Sequence, residues 1–153
     1  AEDKIVFIDM NYILNNSLAG KDLKSQLKER NDIIKNKLKN YQNDINEKKE
    51  KILAQKNVIT QDEYDKKLKE IQEEVVKINI LMSKEDKILA EFKKKIEKEY
   101  FKKLNPIIEK YSLENSIGII LNKKDLLMAK NTLDITEEIF NLFNKKIDKL
   151  TVE

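Results

Sequence analysis

Neither cysteine nor histidine occurs in the 153 residues. The commonest general base, the thiol nucleophile and the soft metal ligands are therefore all missing, and an enzyme is the poorest fit to the chain. Disulfides are excluded as well, so cysteine usage leaves the compartment open. The two glycines, Gly20 and Gly118, lie too far apart to form a phosphate-cradling loop. With Pro106 as the single proline, the sequence has few of the residues that make tight turns. Tryptophan is absent and aromatic residues make up only 7%. A large compact core is not expected, and a chain this polar completes its burial by oligomerising. No apolar run approaches the roughly 20 residues that span a bilayer. Arg30 is the only arginine and base-stacking aromatics are sparse, so nucleic acid is not an expected partner. Asp62, Glu63 and Asp65 lack the spacing of a calcium loop, and carboxylates belong in a helix's first turn. No catalytic residue, metal ligand or cofactor is assigned.

What the chain does have is charge, at 39% of residues, arranged on a helical repeat. Leu27, Ile34 and Tyr41 recur every seven residues, and Leu38, Ile45, Ile52 and Ile59 form a second row. Asn57 to Gln61 interrupt the pattern, where Thr60 followed by Glu63 makes a capping box that starts a new helix. The seam then resumes as Leu68, Val75, Met82, Leu89 and Ile96, flanked by Ile71, Ile78 and Phe92. Two seams and one break predict a helical hairpin over residues 21–110 with its tip near 57–61. At about 1.5 Å rise per residue, each arm extends on the order of 50 to 75 Å, so the arms project from whatever body the remainder makes. Residues 21–110 carry 24 basic and 18 acidic side chains, whereas the rest carries 7 and 10. The basic excess on the arms attracts acidic partners.

The ends read differently. Lys4 to Met10 is a β-branched and aromatic strand with Ile5 and Phe7 on one side and Val6 and Ile8 on the other, expected to be buried. Asn11 is placed to cap a short helix over Tyr12 to Asn15, and Ser17 to Gly20 to form the joint before the first arm. Pro106 predicts a kink or break near the end of the second arm. After a turn at Ser112 to Ser116, Ile117 to Leu121 reads as a second strand, Lys123 to Asp125 as a hairpin turn and Leu126 to Ala129 as a third strand. Asp134 and Glu137 read as another capping-box start, opening a last amphipathic helix with Ile135, Ile139, Leu142, Phe143 and Ile147 on one face. The fold class is thus α+β, with residues 1–20 and 111–153 as a β-rich oligomerisation body. Ile5, Phe7, Ile117, Ile119, Leu121 and Leu127 are the expected assembly residues. The start at Ala1, Glu2 and Asp3 reads like a mature chain after signal-peptide removal.

Lys4-Ile5-Val6-Phe7-Ile8-Asp9-Met10, the heptad hairpin, Ile117-Gly118-Ile119-Ile120-Leu121 and Asp134-Ile135-Thr136-Glu137-Glu138-Ile139 together resemble the Skp (OmpH-like) family of periplasmic chaperones. The resemblance covers nearly the whole chain, and the Asp-Ile-Thr helix start is its most specific piece. It implies a homotrimer in which a shared β-barrel body carries three arms around a cavity. It also implies an ATP-independent holdase for unfolded outer-membrane β-barrel proteins in the periplasm. Val76 and Ile80 lie about 100° or more around the helix from the seam and are the first candidates for client binding. Val58 and Ile59 at the tip form a second apolar pair. Lys48, Lys49, Lys51 and Lys56 suit acidic clients or an anionic lipid or lipopolysaccharide surface. The rival reading is a structural or scaffolding coiled-coil interaction protein.

Overall fold

A computed structural model describes residues 2–152. Ala1, part of the mature-like start, lies outside them. In chain order the elements are β1 (Lys4–Ile8), α1 (Met10–Asn16), α2 (Leu18–Gln55), α3 (Gln61–Glu114), β2 (Ile117–Asn122) and α4 (Thr136–Lys146), with single 3-10 turns at Lys123–Asp125 and Asn131–Leu133. The chain divides into two compact units, Lys28–Phe92 and Ala1–Leu27 with Lys93–Glu153.

The unit Lys28–Phe92 is an antiparallel helical hairpin. Its lysine- and glutamate-rich text is made of good helix formers, and its stability comes from the apolar seam. Ile45, Ile52, Ile71 and Ile78 are buried at the centre, with Tyr41, Tyr64, Leu68, Val75 and Met82 packed around them. Four polar pairs bridge the two helices: Arg30 over the Phe92 ring at 3.6 Å, Lys37 to Glu85 at 3.1 Å, Lys48 to Glu74 at 2.7 Å, and Lys67 to Gln55 at 2.9 Å. In all four the paired residue numbers add to 122, so one register holds along the hairpin without slippage. Exposed ion pairs contribute only about 0–1 kcal/mol each. Their value here lies in orientation, while the isoleucines supply the stability.

At the tip the capping box forms as the local sequence dictates. Glu63 N donates to Thr60 Oγ1 at 3.2 Å, and Thr60 N donates to Glu63 Oε2 at 3.4 Å. Backbone donors from Val58 and Ile59 both reach Gln55 O, which closes the preceding helix.

In the other unit, β1 and β2 pair in parallel, with Ile5 opposite Ile119 and Phe7 opposite Leu121. Val6, Phe7 and Ile8 are buried, but Ile5 is exposed, so β1 is only partly covered by its own chain. The core gathers Ile8, Ile13, Ile96, Tyr100, Leu104, Ile139 and Phe143. The Asp134-Ile135-Thr136 segment ties the sheet to α4. Ile135 N donates to Phe7 O at 3.0 Å, and Asp9 N donates to Thr136 Oγ1 at 2.8 Å.

Several local expectations are corrected. Leu126 to Ala129 is not a strand in this chain, because it has no neighbour to pair with; Lys123–Asp125 is a 3-10 turn rather than a hairpin turn. Asp9, not Asn11, caps α1, accepting from Tyr12 N at 3.0 Å. The joint between α1 and α2 is Ser17 alone, and Gly20 lies inside α2. Pro106 does not end α3, which runs on to Glu114. There Ser112 Oγ donates to Ile108 O and Asn115 Nδ2 donates to Tyr111 O, satisfying carbonyls of the last turns. Finally, Asp134 does not form a capping box with Glu137. Its Oδ1 accepts from Thr136 N at 2.9 Å, a turn two residues long that sets the entry to α4.

Tyr100 gives the core a pH signature. Its ring meets those of Phe101 and Phe143 edge-on, and burial pushes its phenol up to about 12, the nearby Ser17 hydroxyl offsetting part of the rise. Ser17 Oγ accepts from Gly20 N at 3.0 Å, and the Tyr100 hydroxyl has no well-formed hydrogen bond of its own. Since folding favours the neutral phenol, stability is fully present below pH 10 and falls as the pH rises from 10 to about 12. The expected loss is about 2–3 kcal/mol. Tyr100→Phe removes most of that loss, leaving a smaller residue from Tyr111, which burial and Glu138 also raise. At neutral pH the substitution stabilises by about 1 kcal/mol, because an unpartnered buried hydroxyl is gone. Urea unfolding of both proteins across this range checks the point, and identical alkaline losses contradict it.

Candidate functional site

Among the described residues, two of the exposed apolar surfaces bear on function. The first lies on the hairpin. Val76 is 57% and Ile80 53% exposed although both sit mid-helix in a charged sequence. They lie four residues apart, hence nearly above one another, on the side of α3 away from the buried Ile71 and Ile78. Leu81 and Ile88 on α3, and Ile33 and Leu53 on α2, are exposed too. None of these four was among the expected binding residues. Each stands directly beside a seam residue in sequence (Met82, Leu89, Ile34 and Ile52), which is the signal that marks them. One step along a helix turns a side chain by about 100°, taking it off the seam and out to the flank.

At the tip, Val58 is 82% exposed while Ile59 is half-buried. The basic set is uneven. Lys48 is held by both carboxylate oxygens of Glu74, at 2.7 and 2.8 Å, and Lys56 Nζ lies 5.9 Å from the Tyr64 ring centroid. Lys49 and Lys51 are exposed, and Lys49 borders a shallow cavity of about 410 Å³ on the hairpin flank. That cavity joins Tyr41, Ile45, Val75 and Ile78 of the seam to Gln42, Asn46 and Asn79. Its mixed lining offers contact without a tight fit for any one molecule.

The second surface is on the sheet. Ile5, Ile119 and Leu121 are exposed along one face of β1 and β2, with Ile5 and Ile119 side by side in register. Ile117 is half-buried, and Leu127 and Met128 stand almost wholly in solvent. Phe7, by contrast, is buried within its own chain, and its backbone bridges to Asp134. Of the six expected assembly residues, it is the one already covered.

Among the described residues, no group of Asp and Glu is placed to hold a metal ion, and no helix is long and apolar enough to cross a membrane. The arrangement offers dispersed aliphatic contacts on a charged helix pair and an uncovered sheet face.

A model of the OmpH family, outer membrane protein (OmpH-like), matches residues 4–143. Among solved structures, the chain is similar to a Caulobacter crescentus CB15 protein whose crystal structure is described as that of a candidate outer membrane chaperone (OmpH-like). The two share 18% identity at a TM-score of 0.88, over 100% of this chain and 90% of that one. At that identity the likeness is one of fold. No curated protein sequence matches the chain. The match to the family spans both strands, the whole hairpin and most of α4, and on it the chain belongs to the OmpH-like outer membrane protein family.

Proposed function

We propose that this protein is an ATP-independent periplasmic holdase that keeps unfolded outer-membrane β-barrel proteins from aggregating. The observation that carries this reading is the pair Val76 and Ile80, more than half exposed on the side of α3 away from its buried seam. A client bound by many shallow aliphatic contacts is shielded yet leaves without an energy source, since each contact is weak and only their number makes affinity. Val58 and Ile59 at the tip extend the contact surface. Lys49 and Lys51 add attraction for acidic segments, and Lys48 and Lys56 contribute less because Glu74 and the Tyr64 ring already engage them. The same basic flank is where an anionic lipid or lipopolysaccharide surface would be met.

Three copies would assemble through the sheet face of Ile5, Ile117, Ile119, Leu121 and Leu127, with Phe7 supporting that face from within each chain. Leu126 to Lys130, unpaired here but extended at both ends, would pair with a neighbouring copy.

Replacing both Val76 and Ile80 by Ser is the direct test. Each aliphatic side chain contributes at most about 1.5–3 kcal/mol when fully buried, so client affinity is expected to fall about ten- to a hundred-fold. Light scattering of a diluted, urea-denatured barrel protein reads the loss of holding, and sedimentation reads the unchanged assembly. Full holding by the double variant would remove these residues from the client surface. Loss of assembly instead would make them structural.

A further inference from the structure

The C-terminal segment after α4 is tied down at one residue. Leu150 is buried, its N donates to Asp22 Oδ2 at 2.8 Å, and its O accepts from Gln26 Nε2 at 2.9 Å. Gln26 Nε2 also donates to Asp22 Oδ2 at 2.8 Å, so the two side chains grip the backbone of Leu150 as one closed clamp. Held this way, residues 147–152 form one wall of a groove of about 620 Å³ whose other wall is α3.

The groove is strongly basic. Lys95, Lys98, Lys102 and Lys103 line it from α3, with Lys146 from the end of α4 and Lys149 from the clamped segment. All six are exposed, and against them stand the carboxylates of Glu99 and Asp148. Lys102 is 3.8 Å from Glu99. Ile147 and Val152 add apolar surface between the charges.

We infer that this groove is a docking surface for an extended acidic polypeptide segment. Six ammonium groups concentrate negative charge at the groove, yet the two carboxylates within it would repel a dense cluster of phosphates. An acidic peptide avoids that conflict, because it spaces its carboxylates between other side chains, and the apolar ones can rest on Ile147 and Val152. Lysine also lacks the planar fork with which arginine grips phosphate in two bonds. The clamp at Leu150 fixes the wall before the partner arrives, which lowers the ordering cost of binding. The inference is independent of the holding of clients on the hairpin, which uses other residues.

Fluorescence anisotropy with a labelled peptide of glutamate, serine and valine tests it on the full chain. Binding is expected at low salt, with at least a tenfold loss on raising the salt to about 0.5 M. Lys98→Glu with Lys149→Glu is expected to weaken binding at least tenfold at unchanged circular dichroism, while Lys66→Glu with Lys69→Glu on the hairpin leaves it intact. Equal losses in both double variants would reduce the effect to overall charge and overturn the inference. So would phosphatidylglycerol vesicles that displace the peptide from the unaltered chain and bind the Lys98/Lys149 variant less well, since they assign the groove to phosphate.

Discussion

Replacing Ile119 by Asp is expected to yield a folded monomer. Ile119 is 52% exposed in the single chain and stands beside Ile5 on the open face of the sheet, so a carboxylate there meets water as long as the chain is alone. In an assembly that buries this face the same carboxylate would lose its hydration without gaining a partner, at a cost of several kcal/mol at each contact. The aliphatic burial it replaces, about 1.5–3 kcal/mol, would be lost as well. Together these terms outweigh what a modest interface supplies. Circular dichroism should show the full helix content and sedimentation a single chain. An unchanged oligomer would mean that assembly uses another surface, and an unfolded chain that the face is needed within each copy. Phe7→Asp serves as the contrast: Phe7 is buried inside its own chain, and that change is expected to unfold the β unit itself.

Gly20→Ala is expected to cost about 3 kcal/mol or more, beyond the usual range for adding one methyl group to a packed site. The reason is local and steric. A Cβ on Gly20 would sit 1.9 Å from Leu14 O and 2.7 Å from Leu14 C, both backbone atoms of α1 that cannot step aside alone. The chain turns from α1 to α2 at Ser17, whose N donates to Ile13 O and whose Oγ accepts from Gly20 N, so the corner is fixed from both sides. Gly118 provides the control. A Cβ there meets Asp3 Cβ at 2.7 Å, which gives way only if the Asp3 backbone just before β1 shifts with it, a milder conflict than the 1.9 Å approach to Leu14 O, so Gly118→Ala should cost about 1–2 kcal/mol. Thermal unfolding of the two variants separates them, and equal losses would contradict the account of the corner.

The helical hairpin was legible because its signals are local and repeated. A seven-residue apolar row survives any tertiary context, and the Thr60–Glu63 box needs only four residues to form. Chemistry without Cys or His was equally plain. What could not be read was whatever depends on distant partners. The parallel pairing of β1 with β2 joins segments separated by the whole hairpin, and nothing in either strand announces its register. Leu126 to Ala129 has a strand's composition, but in this chain it lacks a neighbour. Gly20 resembled a helix breaker, whereas its role is to let two helix backbones approach closely. The break expected at Pro106 does not occur, since α3 continues through it with Leu104 and Ile107 buried on either side. For the candidate site, angular position identified Val76 and Ile80 correctly as off-seam. The same angle applied to neighbours of the seam would have added Leu81 and Ile88. The clamp on Leu150 by Asp22 and Gln26 had no sequence signal, because a backbone amide and carbonyl accept any suitable side chain.

The most direct test of the holdase reading is the solution mass by light scattering, with and without a urea-denatured outer-membrane barrel protein diluted into the sample. The account predicts a mass of three chains that rises by one client and keeps that client soluble. A monomer or dimer whose mass is indifferent to the client, while the client aggregates at its usual rate, would contradict it.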